Sequence, residues 1–350
     1  MEEFGPRPGR RRDAHPRPEP APDPDGDLPM SDSILYVREG ALARVTFNRP
    51  SALNAMGFEM GRRWRDLALE ITADPGVGTA LLDARGPAFC AGGDVIEMAS
   101  SGADGSDVTA AAEAIHAGIR AFVESDIPVV AAVQGAVAGG GLGLMLTADY
   151  VIAATRARFV SRYANIGLSP DLGVSTLLPA AVGQTRALRL LLQDETLDAE
   201  TALDWGLVSE IADDPAQRAE EVAAFWLANA TGAFAQAKRL VRAGARRAFA
   251  ENLADEARTI GARFDTPEAQ IRVSAFAAAS RVKTAAPAAP AAPGASEGSR
   301  GSGGSRGAET PDASSESAIS AASAAAPSAA APAPEPPTAP ETSPRPQEHA

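Results

Sequence analysis

PVVAAVQGAVAGGGLGLMLTAD, Pro128 to Asp149, decides how this chain is read. It opens as a wholly apolar strand, of the kind that a parallel sheet buries on both faces. Gly139, Gly140 and Gly141 then stand at the head of an apolar segment that reads as a buried helix. Glycine is the poorest ordinary helix former, but it lets another group approach the backbone closely. A glycine run between a buried strand and a helix therefore presents bare N–H groups, which stabilise negative charge. The run from Ile127 to Ala148 carries no formal charge and is long enough to span a bilayer. Pro128, Gln134 and five glycines interrupt it, and Asp126 and Asp149 flank it where basic anchors would belong. A buried strand followed by a buried helix is expected, not a membrane span.

Outward from this stretch, the composition narrows the folded part. Of the 350 residues, 45% are hydrophobic and only 5% aromatic. Residues 1–29 are rich in Pro, Arg and Asp, and from Thr284 to Ala350 the chain is rich in Ala, Pro, Ser and Gly. Beyond alanine, Ile319 is the only sizeable apolar side chain of that tail, too little to offset the entropy of ordering. Both ends are expected to be disordered extensions that can be trimmed without loss of folding, leaving one core from Met30 to Lys283. Met30 is a candidate translation start.

The net charge is −13 and the pI about 4.8, which argues against nucleic acid as a partner. Cys90 is the only cysteine, so neither a disulfide framework nor a multi-cysteine metal site is available. Of the three histidines, His15 and His349 fall in the tails, and no metal site is expected. No apolar run of the secretory kind opens the chain, and a cytoplasmic location is expected.

Along the core, strands alternate with helices. Ala43–Asn48 reads as a strand, Met56–Asp74 as an amphipathic helix with its arginines in water, and Val77–Gly86 as the next strand. The loop GPAFCAGGD follows, then a helix for which Asp107 is the expected N-cap. After the glycine run come strands at Tyr150–Thr155 and Ala157–Ser161, and beyond Asp171 the pattern is helical almost to the end. This rhythm predicts an α/β fold with a largely parallel sheet and a helical cap.

Several devices use glycines in such a place. A P-loop would need Gly-Lys-Ser/Thr, where this chain has Leu142-Gly143-Leu144. A dinucleotide fingerprint needs spaced glycines after the first strand. What remains is an oxyanion hole, or close helix–strand packing without chemistry. AFCAGGD, Ala88 to Asp94, supplies a second glycine loop ahead of a helix, and two such loops after neighbouring strands bring their amides to one oxygen.

FNRPSALNAM (Phe47–Met56), GPAFCAGGD (Gly86–Asp94), PVVAAVQGAVAGGGLGL (Pro128–Leu144) and ALDWGLVSEI (Ala202–Ile211) together resemble the enoyl-CoA hydratase/isomerase family, the crotonase superfamily. The resemblance runs in family order from about Ile34 to Lys283. It implies a spiral of ββα units over residues 30–215 and a helical trimerisation region over 216–283. It also implies an acyl-CoA thioester as substrate, a homotrimer or hexamer, and no cofactor beyond the coenzyme A of the substrate. The thioester oxygen would be held by the N–H groups of Gly93 and Gly140, each such donor lowering the barrier by roughly 3–4 kcal/mol.

The resemblance also marks departures. Where hydratases of the family carry their two glutamates, this chain has Gly143 and Tyr163. Asp171 stands where some isomerases place a catalytic carboxylate, and where the 4-chlorobenzoyl-CoA dehalogenase branch has its nucleophile. His116 matches that branch's water-activating histidine, and Tyr163 an aromatic lining the acyl pocket. By the same likeness Ala52, Leu53, Ala91, Asp94 and Val95 lie along the CoA path, Asp94 also capping the next helix. Ser51 replaces a basic residue that contacts CoA phosphate, for which Arg281 and Lys283 are candidate substitutes. Cys90 reads as a small apolar residue. The resulting expectation is an enoyl-CoA isomerase with Asp171 as proton shuttle. Its rivals are a hydrolase or dehalogenase using Asp171 and His116, and a non-catalytic acyl-CoA binder.

Overall fold

The structure is a computed structural model that describes residues 33–285 except Asp194. The extension expected at 1–29 lies outside the described residues, as do residues 286–350 of the one expected at 284–350 and the side chains of Arg281 and Lys283; Thr284 and Ala285 belong instead to the last helix.

Strands distribute between two sheets. The larger has six, in the spatial order β1 (Ile34–Glu39), β2 (Leu42–Phe47), β3 (Thr79–Ala84), β5 (Val129–Val133), β7 (Tyr150–Ala154) and β10 (Glu210–Ala212). Only the β1–β2 hairpin is antiparallel; every other pair is parallel. The smaller sheet orders β4 (Ala88–Cys90), β6 (Ala136–Ala138), β8 (Arg158–Val160) and β9 (Thr196–Asp198). Its first three strands are parallel and β9 closes the edge antiparallel to β8. The chain thus steps from the large sheet to the small one three times, β3 to β4, β5 to β6 and β7 to β8. Helices return it to the large sheet after β4 and β6, and after β8 it returns only once β9 has been added to the small sheet; this is the expected spiral of ββα units.

Burial follows the strand period of two. Val129, Ala131 and Val133 of β5 join the main core, while Val130 and Ala132 face a second core. Helix α1 (Phe58–Ala73) covers the first face through Met60, Trp64, Leu67 and Ile71, spaced three or four apart. Trp64 packs between Phe47 and Phe122, with centroids 5.9 and 5.4 Å away, and its indole N–H donates to Ile115 O at 3.2 Å. Helix α8 (Pro215–Ala228) covers the second face through Ala219, Val222 and Ala223.

Between these lie α2 (Val95–Ser100), α3 (Gly105–Glu124), α4 (Gly140–Leu146), α5 (Val174–Val182), α6 (Gln184–Gln193) and α7 (Ala199–Trp205). After α8 the chain is helical: α9 (Thr231–Gly244), α10 (Phe249–Phe264) and α11 (Pro267–Ala285). Lys238 ties α9 to the core. Its buried ammonium donates to Phe122 O and Ile127 O and pairs with Asp149 at 3.0 Å. Burial lowers its pKa, against the opposing pull of Asp149.

The sequence reading needs correction in three places. Helix α3 is capped by Asp104, whose carboxylate accepts from Ser106 and Asp107 N–H; Asp107 is the return arm of a capping box. GPAFCAGGD is not all loop, because Ala88–Cys90 forms β4. The stretch after Asp171 is not purely helical, since β9 and β10 interrupt it. All of these strands are three residues long, too short to show a period, and each is held by the strand beside it.

Candidate active site

Three segments leave the carboxyl ends of β4, β6 and β8, adjacent parallel strands of the small sheet. Ligand sites of parallel sheets form at such strand ends. The first segment, Ala91–Asp94, is held by the turn before α1. Ala91 N–H donates to Leu53 O at 3.0 Å, Met56 N–H to Gly92 O at 2.7 Å, and Asp94 N–H to Met56 O at 3.0 Å. That pattern leaves the intervening Gly93 N–H without a hydrogen-bond acceptor among the described residues.

Asn54 fixes the holding turn. It is buried and left-handed (φ 56°), donates to Arg85 O and Ala88 O at 2.9 and 2.8 Å, and accepts from Arg49 N–H at 2.7 Å. Asp94 spends one oxygen capping α2 at Glu97 N–H, and the other on Arg49, each at 3.0 Å. Leu53 and Val95 are exposed apolar side chains on either side of this loop, and Ala52 and Ala91 are partly buried.

The glycine run enters from β6. Gly139 is left-handed (φ 51°) and gives its N–H to Val160 O at 3.1 Å. Gly140 is the first residue of α4, so its N–H has no helical partner, and the described residues offer no other. The two loops touch: a Cβ on Gly92 would lie 3.2 Å from Gly140 N. Gly140 and Gly141 are also needed for space. A Cβ on Gly141 would lie 2.3 Å from Cys90 O, and one on Gly140 would lie 2.5 Å from Leu172 Cδ1 and 3.5 Å from Asp171 Oδ1. At Gly143 a Cβ would meet Leu172 O at 1.8 Å.

The third segment brings the carboxylate. Buried Tyr163 donates its hydroxyl to Asp171 Oδ1 at 2.6 Å. Burial, then the charge and hydrogen bond of Asp171, push the Tyr163 phenol far above its ordinary pKa, so it remains a donor. Asp171 Oδ2 has no hydrogen-bond partner among the described residues. Leu172 follows with a left-handed φ of 47° and Gly173 with 80°. Leu172 N–H donates to His116 Nε2 at 3.0 Å, and Val174 N–H to Asp171 O at 2.9 Å.

Gly93, Gly140, Tyr163 and Asp171 therefore stand at neighbouring strand ends, with His116 reaching the same turn from α3. Cys90 is buried behind the first loop and its thiol is pushed up to about 12, chiefly by burial. Two contributors are not evident in the sequence reading. Leu172 gives no sign of a left-handed turn, since only Gly, Asn and Asp adopt that region readily. Asn54 does belong to that permissive set, and this was the available signal.

Gly140 permits a clean test of the amide. Gly140→Ala adds the crowding against Leu172 but keeps the N–H; Gly140→Pro adds similar crowding and removes it, at a first helical position that tolerates proline. Turnover of an acyl-CoA substrate is expected to fall a further 10²–10³-fold, roughly, from the alanine to the proline variant. Equal activity in both would exclude Gly140 as the oxyanion donor that the resemblance implies.

Residues 37–282 match the family model described as enoyl-CoA hydratase/isomerase. A Mycobacterium leprae protein named "Probable enoyl-CoA hydratase" is 34% identical over 249 residues, 70% of this chain and 95% of that one. The 1,2-epoxyphenylacetyl-CoA isomerase of Escherichia coli is 34% identical over 187 residues, 53% of this chain and 71% of that one. The crystal structure of an enoyl-CoA hydratase from Polaromonas sp. superposes with a TM-score of 0.66 at 29% identity, covering 70% of this chain and 97% of that one.

Proposed function

Since the chain belongs to the enoyl-CoA hydratase/isomerase family of acyl-CoA-processing enzymes, we propose that it moves the carbon–carbon double bond of an enoyl-CoA thioester. The observation that carries this reading is the company of Asp171. It is a carboxylate beside Gly140 with one oxygen held by Tyr163 and the other uncommitted. Asp94 is committed to Arg49 and the α2 cap. One available base suits isomerisation, which needs a proton removed from one carbon and returned two carbons away.

In this reading the thioester carbonyl of a 3-enoyl-CoA accepts from Gly93 and Gly140 N–H. Asp171 takes a proton from C2, and the electron pair delocalises as a dienolate whose oxygen the two amides stabilise. Asp171 then returns the proton to C4, leaving the 2-enoyl product and the carboxylate as it began. Tyr163 holds the carboxylate in place throughout. Neither a metal nor a separate cofactor enters these steps. Leu53 and Val95 would line the CoA path with Ala52 and Ala91.

Incubation with a panel of acyl-CoA thioesters, followed by mass spectrometry, tests the reading. Isomerisation leaves the mass unchanged while the double bond moves. Addition of water, or release of free CoA, would replace it with hydration or hydrolysis, and no reaction would favour a binding protein.

Assembly belongs to the same proposal. Val241, Phe249, Ile260, Phe264, Ile271 and Phe276 on α9–α11 are all more than half exposed, an apolar set that a second copy would cover. A homotrimer or a dimer of trimers is expected by light scattering, and a stable monomer at micromolar concentration would contradict it. No helix among the described residues is long and apolar enough to cross a membrane, and a cytoplasmic location accords with an acyl-CoA substrate.

A further inference from the structure

His116 is the titratable side chain that the proposed chemistry leaves without a task. It reaches from α3 to the Leu172 turn, where its Nε2 accepts the Leu172 N–H at 3.0 Å. Accepting at Nε2 places the single proton of a neutral imidazole on Nδ1, and an imidazolium has no acceptor left to offer. The turn it holds is strained. Leu172 is left-handed without being glycine, a conformation that persists only where its surroundings enforce it. Its carbonyl lies against Gly143, its side chain is buried against Gly140, and Asp171 precedes it directly. What fixes the Leu172 backbone also fixes where the Asp171 carboxylate stands relative to Tyr163 and the glycine loop.

We propose that His116 is a positioning residue: the neutral ring holds the left-handed Leu172 turn and so aims Asp171, and protonation of the ring releases that turn. The proposal rests on the reading of Asp171 as proton shuttle. It differs from a water-activating role, because the lone pair such a role requires is already given to a backbone amide. The charged and titratable groups around the ring come from several elements. Glu113 and Arg120 lie about one turn away on α3, and Asp171 and Tyr163 stand at the turn. Arg62 and Arg65 of α1, Glu97 of α2 and Asp107 of α3 line the groove shared with Ala111 and Ala114 of α3. Lys238 of α9 and Arg246 just beyond it reach only the far end of α3, at Phe122 and Glu124, and α5 carries no titratable side chain.

Glutamine is the decisive substitution, because its Oε1 can accept the Leu172 N–H but cannot titrate. On a 3-enoyl-CoA, wild-type kcat is expected to fall on acidification once the ring is protonated, because an imidazolium cannot accept the Leu172 N–H. His116→Gln should keep kcat within about tenfold of wild type at pH 8 and lack that fall. His116→Ala should lose well over tenfold relative to wild type at pH 8, with KM little changed, and the gap should close once the wild-type ring is protonated. A glutamine variant as inactive as the alanine variant would make the histidine a base and overturn the proposal.

A second measurement does not depend on turnover. The full chain has three histidines, so the ¹⁵N resonances that vanish in His116→Gln identify this ring. At neutral pH they should show the Nδ1–H tautomer, with Leu172 N–H protected from exchange until the ring is protonated. An Nε2–H tautomer would overturn the proposal. Asp171→Asn separates the two readings: full activity there removes the shuttle, while the tautomer and exchange data still decide whether His116 holds the turn.

Discussion

Asp171→Asn is expected to lower turnover of a 3-enoyl-CoA by roughly 10²–10⁴, the range a positioned acid–base group supplies. The substitution is close to isosteric, and asparagine Oδ1 still accepts the Tyr163 hydroxyl that now reaches Asp171 at 2.6 Å. The turn and the oxyanion amides should therefore survive, and CoA thioesters should bind with little change. What is lost is the ability to take a proton. Asp171→Glu keeps that ability and is expected to retain part of the activity, so the pair separates chemistry from packing. A nucleophilic role for Asp171 predicts something different: single turnover in H₂¹⁸O would leave ¹⁸O in the protein's own carboxylate, and a covalent adduct would appear by intact mass. Neither is expected. Activity of the asparagine variant within tenfold of wild type would remove Asp171 from the reaction.

Much of this arrangement was legible in the sequence, and the division is physical. The apolar run Val129–Val133 announces a strand buried on both faces, and Met60, Trp64, Leu67 and Ile71 announce a helix by their spacing. Gly139–Gly141 announce a close approach, and the structure supplies what approaches: Leu172, Asp171 and the Cys90 carbonyl. The rest depends on contacts between segments far apart in the chain. Residues 88–90 and 196–198 become strands only because β6 and β8 lie beside them. Asp107 has the right chemistry for a cap, but Asp104 lies three residues earlier and the two close a reciprocal pair. The left-handed Leu172 could not be anticipated from its type, because the contacts around it come from far away in the chain: His116, 56 positions earlier, accepts its N–H, and Gly140 and Gly143 pack against it.

That turn also explains a missing glutamate, and the explanation can be tested by restoring it. Gly143→Glu is expected to yield no hydratase; it should instead destabilise the fold by on the order of 3 kcal/mol or more and abolish isomerisation. A Cβ at position 143 would stand 1.8 Å from the Leu172 carbonyl oxygen and 2.8 Å from its carbon, and these are backbone atoms that no rotamer change can move. The turn cannot easily yield either. Leu172 N–H is held by His116, Asp171 O accepts from Val174 N–H at the head of α5, and Gly173 continues the left-handed path at φ 80°. Displacing Leu172 would carry Asp171 away from Tyr163. In this chain, then, a carboxylate at 143 and the present placement of Asp171 exclude one another, and the glycine is the condition for the aspartate. Because the Cβ alone creates the collision, Gly143→Ala should lose most of the same stability in thermal or urea unfolding. A Gly143→Glu protein that folds like wild type and adds water to a 2-enoyl-CoA would show that the turn is free to move, and that the loss of glutamate did not depend on it.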